Sequence, residues 1–215
     1  MKIFIPHYTK LTERKAYMIN QLNKNNMNDY EFIEHYDRDV MTNDEENRFT
    51  NDIPKASKSL ILKHFDILQK IAMINNDYAL ILEDDAILCN DFNNVLAKYL
   101  CQLPSDFDMF FIGNGADLHI ESHLLKPELL VYEKGHEPTR WGGLGCTRCT
   151  DSYIVSKKAA IKMSNFIDKI RNYKINIPID WLLNIIARDS VLKVYWAEPT
   201  IVTQGSANGT FKQSY

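Results

Sequence analysis

Nothing in this sequence approaches the length of apolar run that a membrane-spanning helix requires, so no transmembrane segment is expected. Its opening, MKIFIPHYTK, does not read as a secretory leader, because His7, Thr9 and Lys10 follow a very short apolar stretch. Cysteine is scarce. Cys89, Cys101, Cys146 and Cys149 form no disulfide framework in 215 residues, and a reducing, cytoplasmic compartment is expected, peripheral membrane contact being left open. Asn208-Gly-Thr would accept a glycan only in a secretory chain. Positive charge is not in excess either: the formal net charge is -3. That balance excludes a bulk basic footprint for nucleic acid, and an anionic ligand must be held by local cations or a metal. There is no glycine-rich phosphate loop after the first apolar segment, where IPHYTKLTER stands instead. This argues against a nucleotidyl- or phosphotransferase built on such a loop. Internal repeats and low-complexity blocks are also missing.

What is present is ordinary globular composition, 45% hydrophobic and 25% charged, enough for one domain over residues 1–215. Short apolar strands alternate with helical patterns. KIFIP, YEFIEHYDR, YALIL, FDMFFIG, LLVYEK, the start of DSYIVSKK and LKVYWAEPTIV read as strands. Ile61, Phe65, Leu68 and Ala72 recur on one face of a helix from Ser59 to about Asn75. Thr12 and Asp91 are expected to cap the helices they precede, and residues 39–58 to form a polar surface connection. TQGSANGTFKQSY reads as a polar tail. The fold class is therefore α/β, with a mostly parallel central sheet flanked by helices, whose ligands belong beyond the carboxyl ends of the strands.

One strand ends there in an unusual way. In YALILEDDAIL, an apolar run meets Glu83, Asp84 and Asp85 before the chain turns apolar again. On an extended backbone Glu83 and Asp85 share a side, leaving Asp84 to point elsewhere. Two convergent oxygen ligands with room for water and phosphate suit Mg²⁺ or Mn²⁺, and a cation would relieve the repulsion. The competing reading is a solvated turn whose aspartates cap the next segment.

ALILEDDAIL resembles the signature of glycosyltransferase family 25, the lipooligosaccharide and collagen galactosyltransferase group. LTERKAYM resembles that family's early helix start, with Arg14 at the matching position. LILKHFDILQKI is similar to its helix bearing a Ser-His pair, with His64 matching and Lys63 replacing the serine. DFDMFFIG, TDSYIVSKKAAIKM, PIDWLL and EPTIVTQGS resemble further family segments in the same order. The IPHY segment departs from the usual Asn-Leu, which leaves the uridine contacts open.

The resemblance implies a GT-A fold, a Rossmann-like α/β sandwich for nucleotide-sugar transfer. It also implies inverting transfer of a hexose, galactose first and glucose second, from a UDP-sugar. The acceptor would be a hydroxyl of a glycan, a lipooligosaccharide or a protein-linked group. Glu83 and Asp85 would hold the metal, Mn²⁺ or Mg²⁺, and Asp84 would face the ribose or sugar. Arg14, His64 and Gln204 would serve the donor nucleotide, with Ser206 beside Gln204.

Asp180 is the candidate general base, read equally as the cap of the helix containing WLLNIIAR. Arg140 and Trp141, before GGLG, are acceptor-loop candidates. Trp181 reads as core more readily than as a sugar platform, and His64, on its residue type alone, more readily as a satisfied helix histidine than as a donor contact. The CTRC motif with His119 and His123 makes a poor zinc site, and HIESH lacks the metalloprotease order. The alternative function, from another class, is a catalytically decayed sugar-binding or assembly module of the same fold.

Overall fold

The computed structural model describes residues 1–135 and 145–212. Strand β1 (Lys2–Pro6) is followed by α1 (Thr12–Lys24), β2 (Tyr30–Ile33), the single-turn α2 (Asn43–Glu46) and the long α3 (Lys55–Met73). Then come β3 (Tyr78–Leu82), β4 (Ala86–Leu88), α4 (Phe92–Gln102), β5 (Met109–Phe111) and β6 (Val131–Glu133). The remainder is β7 (Ser152–Ser156), α5 (Lys157–Lys169), α6 (Ile179–Asp189), β8 (Val194–Ala197) and β9 (Val202–Gln204).

Seven strands form the central sheet in the order β2-β1-β3-β7-β5-β8-β6. Strands β2, β1, β3, β5 and β8 run one way, while β7 and β6 run against them. The expected α/β architecture is thus present, mostly parallel, with β7 inserted antiparallel at its centre. β4 and β9 make a separate two-stranded ribbon.

Alternation along each strand divides the core. Phe4, Ile81, Phe111, Tyr153 and Trp196 pack with α3, α5 and α6 on one face. Ile3, Ile5, Leu80, Leu82, Phe110 and Ile154 pack with Met18 and Leu22 of α1 and with Phe92 and Leu96 of α4 on the other. Every one of these side chains is essentially removed from water, each such burial worth roughly 1.5–3 kcal/mol.

Local signals were legible unevenly. Ile61, Phe65 and Leu68 are buried as the periodicity requires, but α3 begins four residues earlier than expected, at Lys55. The connection before it contains α2, closed by a capping box between Thr42 and Glu45. Thr12 lies inside α1 rather than capping it, since the cap position belongs to Leu11. Asp91 does occupy the cap position of α4, in a left-handed conformation, but its carboxylate accepts from the Asn94 side-chain amide at 2.8 Å instead of from a backbone N–H. Trp181 is 47% exposed and so is not core.

Candidate active site

Parallel pairing of β1 with β3 sets Phe4 opposite Ile81. Three residues further on, beyond both strand ends, His7 meets Asp84, with Nδ1 of the ring 2.8 Å from Oδ2. Antiparallel pairing of β3 with β7 sets Leu82 opposite Ser152, and one step on the Glu83 N–H donates to the Asp151 carbonyl at 2.9 Å. A single sheet end therefore gathers Glu83, Asp84, Asp85 and Asp151.

The acidic triplet is a turn, closed by Ala86 N–H donating to the Glu83 carbonyl at 3.0 Å. Extended-strand alternation accordingly does not govern its side chains. Glu83 accepts from the Thr150 hydroxyl. Asp84 accepts from Arg14 Nη1 at 2.9 Å as well as meeting His7. Asp85 accepts from the Ser206 N–H at 3.2 Å through Oδ2, which also lies 3.7 Å from Arg14. Its Oδ1 is buried without a hydrogen-bond partner. Asp84, expected toward the ribose or sugar, is thus shared by two basic side chains.

A cavity of about 310 Å³ opens beside these groups. Its walls include His7, Arg14, Lys63, Glu83, Asp84, Asp85, Gln204 and Ser206, with Tyr8, Leu11, Ser57 and Leu60 supplying a less polar part. Arg14, Gln204 and the three acids, placed here by sequence reasoning, are brought together around one space. His64 is not among its lining residues. It stands fully buried behind Glu83, Nε2 at 4.0 Å from the carboxylate and Nδ1 at 2.8 Å from the Tyr153 hydroxyl. Burial alone lowers its pKa to about 3, so it is a neutral packing partner of Tyr153 and Glu83. Arg140 and Trp141 lie outside the described residues.

The electrostatics report a concentration of negative charge. Burial, and after it the charge of Asp85, pushes Glu83 up to about 8. Burial likewise raises Asp151 to about 7. Cys149 is pushed up to about 12, by burial first and then by Asp180, Asp151 and Glu83. That thiol therefore senses both Asp180 and the carboxylates of the sheet end. Asp180 sits in the first turn of α6, half-buried, and burial raises its pKa against the opposing pull of the Trp181 N–H and its own. It does not line the cavity described above.

Sequence reasoning missed several participants. Asp151 is buried with Oδ1 unpartnered; only Gly113 and Gly115 leave room for it, since a Cβ on Gly113 would stand 1.7 Å from its Oδ2. The signal was a second acid just before β7, in TDSYIV, with glycines shortly after β5. His7 was visible only as a departure from the family's pattern. Lys63, the replacement for the serine, donates to the carbonyls of His7 and Ile33 at 2.6 and 3.1 Å and to Asp37 at 2.7 Å. It ties the ends of β1 and β2 together beneath the cavity. In CTRC, Arg148 is buried, paired with Glu198 and set over Trp196, and the Cys146 thiol donates to Asn184 Oδ1 at 3.3 Å. His119 is engaged with Glu198 and Asp117. The zinc reading has no support among the described residues.

The residues present fit a divalent cation. Hard carboxylate oxygens cluster, Asp85 Oδ1 lacks a partner, and the Asp85 charge that adds to burial in raising Glu83 is what a cation offsets. Among the described residues no three His, Cys, Asp or Glu side chains converge tightly enough to hold a metal by themselves. Two carboxylates completed by water and phosphate oxygens are the arrangement that Mg²⁺ commonly uses.

An acidic turn at the carboxyl end of an α/β sheet, beside a cavity of about 310 Å³, stands where such sheets bind their ligands. The sequence supplies the class. Residues 1–183 match the family described as "Glycosyltransferase family 25 (LPS biosynthesis protein)". The chain belongs to glycosyltransferase family 25. No curated protein matches it. Among solved structures, a Drosophila β-1,4-galactosyltransferase 7 mutant in complex with manganese, UDP-Gal and xylobiose aligns over 100% of this chain and 75% of its own, at 12% identity and TM-score 0.45. The galactosyltransferase LgtC, with donor and acceptor sugar analogs, aligns over 90% and 71%, at 10% identity and TM-score 0.47. A glycosyltransferase involved in the glycosylation of the major capsid of PBCV-1 aligns over 92% of each chain, at 11% identity and TM-score 0.37. All three scores lie below 0.5, so the family assignment rests on the sequence match.

Proposed function

We propose that this family 25 glycosyltransferase is an inverting, metal-dependent enzyme that moves a hexose, galactose before glucose, from a UDP-sugar to a hydroxyl acceptor. The acceptor class is a glycan, lipid-linked or protein-linked hydroxyl. The observation that carries the reading is Asp85, a residue of the cavity wall whose Oδ1 is buried without a partner, next to a Glu83 whose charge is penalised.

In this mechanism Glu83 and Asp85 hold Mn²⁺ or Mg²⁺, which, when bound, neutralises charge developing on the leaving diphosphate. Arg14 and His7 fix Asp84, and Arg14 presents positive charge to the same cavity. Gln204 and Ser206 close the diphosphate side, and the surface of Tyr8, Leu11 and Leu60 takes the nucleoside. Inversion proceeds in one displacement through an oxocarbenium-like transition state, and the acceptor hydroxyl gives up its proton to a general base. Asp180 is assigned that role as the carboxylate in the first turn of α6, outside the donor cavity, where burial raises its pKa.

A panel of UDP-sugars with Mn²⁺, scored for slow release of free UDP, tests the proposal. Turnover of at least one UDP-hexose supports it. Folded protein that turns over none of them is a sugar-binding or assembly module instead.

A further inference from the structure

The segment after β9 returns to the site and fastens on it. Gly205 N–H donates to the Asp85 carbonyl at 2.8 Å, and Ser206 N–H donates to the Asp85 carboxylate at 3.2 Å. Phe211 N–H then donates back to the Gly205 carbonyl at 3.0 Å, closing residues 205–211 into a loop. At its end the Phe211 ring lies under the Arg14 guanidinium, 5.5 Å from ring centroid to Cζ, and edge-on to Tyr17 at 5.2 Å. The Lys212 carbonyl accepts from Arg14 Nη2 at 2.5 Å. Gly205 is needed for this closure, since a Cβ there would stand 2.5 Å from the Phe211 ring and 2.9 Å from the Asp85 carbonyl oxygen.

Arg14 is thus held from two sides. Its Nη1 grips Asp84, and its Nη2 and flat face are gripped by the strap. The strap's other end holds one oxygen of Asp85 and leaves the second, Oδ1, buried and unpartnered beside the cavity. A carboxylate restrained in this way offers one fixed oxygen rather than a rotating pair. Mutating the partners that orient a metal's ligands typically costs about 10–100-fold in metal affinity or activity.

We propose that Phe211 is a positioning residue for the transfer reaction: by stacking on Arg14 it anchors the 205–212 strap, and the strap orients Asp85 toward a divalent cation. The inference rests on Glu83 and Asp85 being the cation's ligands. Phe211 touches neither donor nor cation in this account and acts only through Arg14 and the strap backbone.

The test is Mn²⁺ binding to the full chain in the presence of UDP, followed by loss of the free Mn²⁺ paramagnetic resonance signal. Wild type, Phe211→Ala, Phe211→Leu and Phe211→Tyr are compared, with melting temperature measured on each. Leucine keeps apolar bulk against Tyr17 but removes the ring from Arg14, so it separates positioning from packing. The expected result is a loss of about tenfold in Mn²⁺ affinity for the leucine and alanine variants, with tyrosine within about twofold of wild type. Leucine binding Mn²⁺ as wild type does overturns the inference and leaves the reading of Glu83 and Asp85 intact. Wild type that binds no Mn²⁺ with UDP overturns both.

Discussion

Burial first, and then the charge of Asp85, penalise an ionised Glu83, and neither Arg14 at 3.7 Å from Asp85 nor the Thr150 hydroxyl on Glu83 fully offsets them. Removing one carboxylate should therefore help the bare protein and harm its liganded form, a trade-off common at functional sites. Asp85→Asn is expected to melt at or above the wild-type temperature without ligand, by up to about 1 kcal/mol of added stability. The extra stabilisation that Mn²⁺ gives in the presence of UDP should vanish in the same variant. A lower melting temperature for the bare variant, with the cation effect intact, would count against the assignment. Lys63 and Asp37 are the opposite case, a buried pair that is satisfied. Lys63→Met leaves Asp37 buried beside Thr9 alone and should cost about 3–5 kcal/mol in denaturant unfolding.

Burial tends to raise Asp37, but the hydrogen bonds from Lys63 and Thr9 outweigh it and hold the carboxyl below its ordinary value. A folded pKa below the unfolded one means stability that is present above the unfolded pKa, near 4. It is lost as pH falls through the lower, folded value. Asp37→Asn should accordingly flatten the acid limb of the stability curve below about pH 4, measured by melting temperature against pH. An unchanged acid limb would remove Asp37 from that account.

At the scale of elements, the site is made where strand ends meet. Two pairings out of register with the apolar pattern would dissolve it: β1 on β3 brings His7 to Asp84, and β7 on β3 brings Asp151 to Glu83. The second depends on the glycines after β5. Gly113→Ala would drive a methyl into the Asp151 carboxylate and the Ser152 hydroxyl. It is expected to cost about 1–3 kcal/mol as an overpacked core does, read from the urea midpoint. A neutral result would mean that Asp151 has room that the structure does not show.

These pairings also explain what could be read from sequence. Strands and the α3 face were legible because period-2 and period-3.6 patterns report burial directly. The acidic triplet was legible because three charges after an apolar run are conspicuous. Which way each acid points was not, since a single turn hydrogen bond at Ala86 cancels the strand alternation. Lys63, Asp37 and Asp151 were hidden because their partners are distant in sequence. The return of Phe211 to Arg14 was hidden for the same reason: the tail is polar in composition, and one aromatic gives no periodicity.

On the scale of the whole molecule, a net charge of -3 is compatible with an anionic nucleotide only if positive charge is concentrated locally. Arg14, Lys63 and Arg38 line the cavity together with Glu83, Asp84 and Asp85, so its cations balance its acids without exceeding them, and a divalent cation would supply the excess that a diphosphate needs. Among the described residues no helix is long and apolar enough to cross a membrane.

The central claim is that cation and nucleotide bind together on the acidic turn. Thermal unfolding of the wild-type chain with UDP alone, Mn²⁺ alone and both together tests it most directly. The account predicts that the pair raises the melting temperature by more than the two separate shifts added, and that Asp85→Ala abolishes this excess. A shift from UDP that persists unchanged in a chelator, or an Asp85→Ala protein that responds as wild type does, would contradict it.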